Sequence, residues 1–154
     1  MKKLFLWSIL IVLVTYGISL SFNDKSSIKY FNFNENSFIR VMRNSTGNIE
    51  VVPFEDYIIG VVSGEMPISF DIEALKAQAV AARSYALTKM VQNKNNAYDV
   101  VDTISNQVYL DDSTLQKNWG TNYEKNITKV KEAVFGTRGE YLTYNGNLVN
   151  AFFF

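Results

Sequence analysis

A chain of 154 residues without a single cysteine or histidine can move protons only through carboxylates, lysines and tyrosines. Thiolate nucleophiles, disulfides, zinc sites built on His or Cys, and Ser-His-Asp triads are excluded. One carboxylate stands apart: Glu65, in Gly64-Glu65-Met66-Pro67, with Val61-Val62 just before it. Apolar company of that kind favours the protonated, proton-donating form of a carboxyl group. Pro67 biases Met66 away from helical geometry, so a helix is expected to stop just before the acid and leave it at a helix end. Lys76 and Arg83 are two helical turns apart and share a face. With Gln78 and Ser84 they interrupt an alanine-rich run, which reads either as a solvated stripe or as a row of donors along a polymer groove.

Two helices must position these groups. The first runs about residues 54–63, where Phe54, Tyr57, Ile58, Val61 and Val62 form an amphipathic stripe. Pro53 suits its first turn, and Glu55-Asp56 complement the dipole. Gly60 inside it costs on the order of 1 kcal/mol against alanine, so close backbone packing is expected there. The second helix runs about residues 72–90, with Asp71 as its cap and Phe70 and Leu75 at staple positions. Its stripe is Ile72, Leu75, Ala79, Ala82, Ala86 and Met90, and further alanines make it apolar nearly all round, as in a central helix.

Around this pair the pattern predicts short strands. Residues 38–42 and 49–52 flank an Asn- and Gly-rich turn and form a hairpin. Residues 98–103 and 107–110 read as extended segments ended by Asp111-Asp112-Ser113, and a third helix spans about 123–135 up to Gly136. Asn145-Gly146, between residues 140–144 and 148–154, is the strongest hairpin signal. Glu55-Asp56 and Asp111-Asp112 read as helix-start and turn charges. Tyr85, Gln107 and Tyr109 are candidates to line a groove, with core positions as the alternative for the tyrosines. The fold class is α+β: central helices packed on short antiparallel strands and hairpins, preceded by an N-terminal transmembrane helix.

Lysine plus arginine equal aspartate plus glutamate at 15 each, so no strong field draws the chain to nucleic acid. Residues 1–22 read as a membrane anchor or signal segment. Lys2-Lys3 precede an uncharged run of about 17 residues, near the short end of what spans a bilayer, and the positive end stays in the cytoplasm. Residues 23–36 form a polar linker with a first strand near 28–33, and 37–154 form the domain. The closing Phe152-Phe153-Phe154 would be an aggregation-prone strand end, so the chain is expected to break off inside its domain.

Residues 52–57, then 60–67 around Gly64-Glu65-Met66-Pro67, then 74–86 (ALKAQAVAARSYA) closely resemble the stage II sporulation protein D family, which includes the amidase enhancers. Gln107-Val108-Tyr109, Ala133-Val134 with Thr137-Arg138-Gly139, and the final hairpin fit as well. The resemblance implies a single-pass cell-membrane protein whose extracytoplasmic domain is a lytic transglycosylase. It would cleave the MurNAc-GlcNAc bond of peptidoglycan during spore engulfment, leaving a 1,6-anhydro end, alongside a cell-wall amidase and a membrane partner. It places catalysis on Glu65 and importance on Lys76 and Arg83; some members bind zinc through cysteines, which this chain lacks, so no cofactor or metal is expected. A one-acid mechanism is physically coherent, because a sugar whose own 6-hydroxyl attacks needs no second carboxylate to activate water. A non-catalytic module that binds glycan or an amidase, and an inactive fragment, are the alternatives.

Overall fold

The structure, a computed structural model, describes residues 37–152. The expected membrane segment, the linker and the strand near 28–33 lie outside the described residues. Among those described, no helix is long and apolar enough to cross a membrane.

The chain enters as a hairpin. β1 (Phe38–Met42) pairs antiparallel with β2 (Ile49–Pro53), placing Ile39 opposite Val52. Ile39, Val41 and Val52 point inward, the period-2 pattern of a strand with one face on a core. Gly47, with φ 71°, closes the turn where a side chain would be strained. The sheet's third strand, β3 (Val100–Val101), runs parallel to β1, a correction to the all-antiparallel expectation. Local turn chemistry cannot announce such a pairing, because its partners are separated by two helices. Asp99 locks it, accepting from the Arg40 backbone N–H at 2.8 Å and from Arg40 Nε at 3.2 Å.

Among the described residues, four helices complete the body. α1 (Phe54–Glu65) follows directly from β2, and α2 (Ile72–Gln92) starts at Asp71, whose side chain accepts from Glu73 N–H at 3.1 Å. Phe70 is half-exposed. Leu75, Ala79, Ala82 and Ala86 are wholly buried as the periodicity predicts, with Ile72 and Met90 packed at the margin. Burying a side chain such as Leu75 contributes about 1.5–3 kcal/mol. α3 (Asp112–Trp119) begins in the Asp111-Asp112-Ser113 stretch expected to be a turn and continues through residues for which the pattern predicts no element; Asp111 is its cap, accepting from Thr114 N–H at 2.8 Å. A short 3-10 turn (Gly120–Asn122) leads into α4 (Tyr123–Gly136), whose Ile127, Val130, Ala133 and Val134 face the core. Lys129 of α4 holds the α1–α2 connection through the carbonyls of Ile68 and Phe70.

The last hairpin joins β4 (Thr143–Tyr144) and β5 (Asn147–Leu148) through Asn145 and Gly146, at φ 48° and 78°. Two successive positive φ values are the type I′ turn that Asn-Gly specifies. Ser84 fastens the hairpin to α2 by accepting from Leu142 N–H at 2.8 Å.

Candidate active site

Glu65 is the last residue of α1. Met66 leaves the helix in extended geometry (φ −123°, ψ 136°) as the residue before a proline must, and the Glu65 side chain emerges half-buried at the helix end. It lines a cleft of about 320 Å³ together with Tyr85 of α2, Ile104, Ser105 and Asn106 of the loop after β3, and Ala151 and Phe152. Oε1 of Glu65 accepts a hydrogen bond from Val108 N–H at 2.7 Å. Oε2 carries none among the described residues. The surroundings are thus more polar than the flanking valines suggest, since a backbone N–H and two polar loop residues replace part of the expected apolar wedge.

The Val108 bond depends on glycine. Residues 107–110 lie extended directly on α1, so closely that a Cβ on Gly60 would stand 2.5 Å from Leu110 O and from the Tyr109 ring. A Cβ on Gly64 would stand 2.7 Å from Val108 O. The two glycines, one turn apart, form a trough that brings the Val108 amide onto the acid. The helix-propensity cost of each glycine, about 1 kcal/mol, is offset by this contact.

Tyr85 reaches the cleft from α2. Its ring meets the edge of Phe152 at 5.8 Å, and Lys89 Nζ sits 5.3 Å from its centroid. Its hydroxyl oxygen accepts from Asn106 Nδ2 at 2.9 Å. The sequence pattern does not mark Asn106 or Ser105 as site residues. Their signal was weak, a polar Thr-Ile-Ser-Asn run just before Gln107-Val108-Tyr109.

The other expected site residues are placed elsewhere. Arg83 is 0% exposed. Its Nε and Nη2 grip the Glu55 carboxylate at 3.1 and 2.8 Å, and its remaining N–H groups go to the carbonyls of Ala79, Val134 and Glu140. All three guanidinium nitrogens are engaged, so Arg83 presents no surface to a ligand and instead ties α1, α2 and α4 together. Lys76 pairs with Glu73 at 2.7 Å, and its stem passes Gly136; it does not line the Glu65 cleft. Gln78, half-buried with Nε2 lacking a partner among the described residues, also lies outside that cleft. Gln107 is fully buried, accepting from Tyr57 Oη at 3.0 Å and donating to Ala82 O at 3.3 Å. Tyr109 stacks on Tyr57 at 5.2 Å and lines a second cavity of about 420 Å³ with Asp56, Asp112 and Tyr123. Burial pushes its phenol up to about 12. Of the expected residues, the structure brings together Glu65 and Tyr85.

Among the described residues, no group of three or more acidic side chains is clustered to hold a metal ion. The polar groups lining the cleft are one carboxyl group, one phenol, one hydroxyl and one carboxamide.

The sequence profile of the stage II sporulation protein family (SpoIID) matches residues 42–144. The stage II sporulation protein D of Bacillus amyloliquefaciens and that of Bacillus subtilis (strain 168) are each 44% identical to the chain over 122 residues, covering 75% of it and 35% of the relative. The amidase enhancer of Bacillus subtilis (strain 168) is 41% identical over 92 residues, 60% of this chain and 10% of that protein. The chain thus spans 35% of the length of the two sporulation relatives it matches.

Proposed function

This chain belongs to the stage II sporulation protein family, and from that premise we propose that it is a peptidoglycan lytic transglycosylase in which Glu65 is the single general acid and base. The observation that carries this reading is that, among the described residues, Glu65 is the only carboxyl group lining its cleft. Glycosidases that use water work with two carboxyl groups flanking the bond. A site with one suits a substrate that supplies its own nucleophile.

The protonated Glu65 gives its proton to the glycosidic oxygen, and the bond from that oxygen to C1 of the muramic residue breaks. The leaving sugar departs as an alcohol, and positive charge develops at C1. The Glu65 carboxylate then takes the proton of the 6-hydroxyl as that oxygen bonds to C1, closing the 1,6-anhydro ring. No water is consumed, and the acid ends as it began. The Val108 N–H bond to Oε1 fixes the carboxyl group, leaving Oε2 for the transfer.

On this reading the protein acts outside the cytoplasm on glycan strands during engulfment, tethered by residues 1–22 and working beside a cell-wall amidase and a membrane partner. Glu65→Gln is the test. Glutamine keeps an acceptor for Val108 N–H but cannot cycle a proton, so anhydro products from peptide-free strands should disappear while strand binding persists. Wild-type product formation by that variant would overturn the proposal.

The similarity to an amidase enhancer favours a second reading, a non-catalytic module that stimulates an amidase. There, Glu65→Gln would leave amidase stimulation unchanged and the wild type would release no anhydro sugar.

A further inference from the structure

We propose that Asn106 is a positioning residue that sets the Tyr85 hydroxyl as a hydrogen-bond donor to an uncharged acceptor oxygen of the bound sugar; this rests on the glycan-cleaving reading of the same cleft. The direction of every bond in this chain of contacts is forced. Val101 N–H can only donate, and it donates to Asn106 Oδ1 at 2.8 Å, which fixes the carboxamide's orientation. Nδ2 is then the end that faces Tyr85, and an amide nitrogen can only donate, at 2.9 Å. The phenol oxygen is therefore an acceptor toward Asn106 and must aim its own proton elsewhere.

Among the described residues the Tyr85 hydroxyl proton has no acceptor, although the tyrosine is 3% exposed and an unmade bond in such a place is costly. The residue lines the cleft that Glu65 also lines. The donor that ordinary packing would have satisfied is left for whatever enters. Sugar hydroxyls, acetamido carbonyls and glycosidic oxygens all offer a neutral acceptor. Asn106 thus acts through Tyr85, and β3, which supplies the Val101 N–H, carries the setting back to the sheet.

The reversal of one bond tests this. In Asn106→Asp the carboxylate still accepts from Val101 N–H but now also accepts from Tyr85, capturing the phenol proton. Binding of a peptide-free GlcNAc-MurNAc oligosaccharide would be measured calorimetrically in the Glu65→Gln background, which removes cleavage and the titration of the cleft's own carboxyl group. Tyr85→Phe and Asn106→Asp should each weaken binding roughly threefold to tenfold, the loss of one neutral hydrogen bond, and the pair should lose no more than either alone. In acid, where the introduced carboxyl group protonates and can donate to the phenol again, the Asn106→Asp loss should shrink, while the Tyr85→Phe loss stays constant. Parent-like binding by Asn106→Asp, additive losses, or a pH-independent Asn106→Asp defect would each overturn the proposal while leaving glycan recognition intact. A parent that binds no oligosaccharide overturns the glycan reading and this inference with it.

Discussion

The Arg83 guanidinium and the Glu55 carboxylate meet as two parallel bonds, 3.1 and 2.8 Å long, across the α1–α2 interface, with the arginine wholly buried. A fork of this kind fixes both distance and rotation between the helices, and those helices carry Glu65 and Tyr85. Arg83 therefore serves the cleft from behind it.

Removing one partner should unfold more than it disables. Arg83→Met leaves the Glu55 carboxylate, whose side chain is 11% exposed, without its counter-charge, a loss of about 3–5 kcal/mol. Arg83→Lys restores charge but not the fork, and should recover only part of it. Urea denaturation measures the loss. A variant of unchanged stability that no longer binds glycan would show that Arg83 reaches the ligand after all.

Gly64→Ala places a methyl group 2.7 Å from Val108 O. Helix propensity would gain about 1 kcal/mol, but the clash with backbone costs about 1–3 kcal/mol and wins. The segment should lift, freeing Val108 N–H from Glu65. Faster exchange of the Val108 amide is expected, together with reduced release of anhydro product on the proposed transglycosylase reading; an unmoved amide would show that the trough is not needed.

Ser84→Ala should loosen the last hairpin. It removes the acceptor for the part-buried Leu142 N–H, a loss of about 0.5–1.5 kcal/mol. Because Ala151 and Phe152 follow that hairpin into the cleft, amide exchange at Leu142 and oligosaccharide affinity should change together.

Stability should fall at both pH extremes for identifiable reasons. Burial alone would raise Asp111, but hydrogen bonds from Ser113 and Thr114, with Arg43 beside it, outweigh that and hold it at about 2. A carboxyl group depressed in the fold stabilises above its unfolded value of about 3.9, and that contribution is lost as pH falls through about 2. Asp111→Asn keeps the α3 cap, so it should flatten this acid limb without removing the helix. Tyr109, held up to about 12 by burial, contributes below the unfolded value of about 10 and loses that contribution as pH rises through about 12. Unfolding midpoints measured across pH in Asp111→Asn and Tyr109→Phe check both limbs, and a wild-type acid limb in Asp111→Asn would discharge Asp111 from that role.

Much of the scaffold follows from local pattern. The stripes of α1, α2 and α4, the Asp71 cap, the first hairpin and the Asn145-Gly146 turn are decided by residues within a few positions of one another, so periodicity and turn chemistry suffice. α3 escaped because it is short and polar, with Leu115 its only buried residue, although Asp111 three positions before Thr114 was a cap signal. Glu65 at a helix end was likewise legible, since Pro67 acts on its immediate neighbours.

What only the tertiary structure decided are the partners. An alanine-rich helix can bury any face, so nothing local distinguishes an arginine reaching solvent from one that finds Glu55 on another helix. Gln107 and Tyr109 look like groove residues until the glycines of α1 draw their segment into the core. Asn106 acquires meaning only when folding sets it between Val101 and Tyr85. Helices are made by neighbours in the chain, but the direction of a hydrogen bond across a cleft is set by residues brought together from far apart, and that is where the chemistry of this site resides.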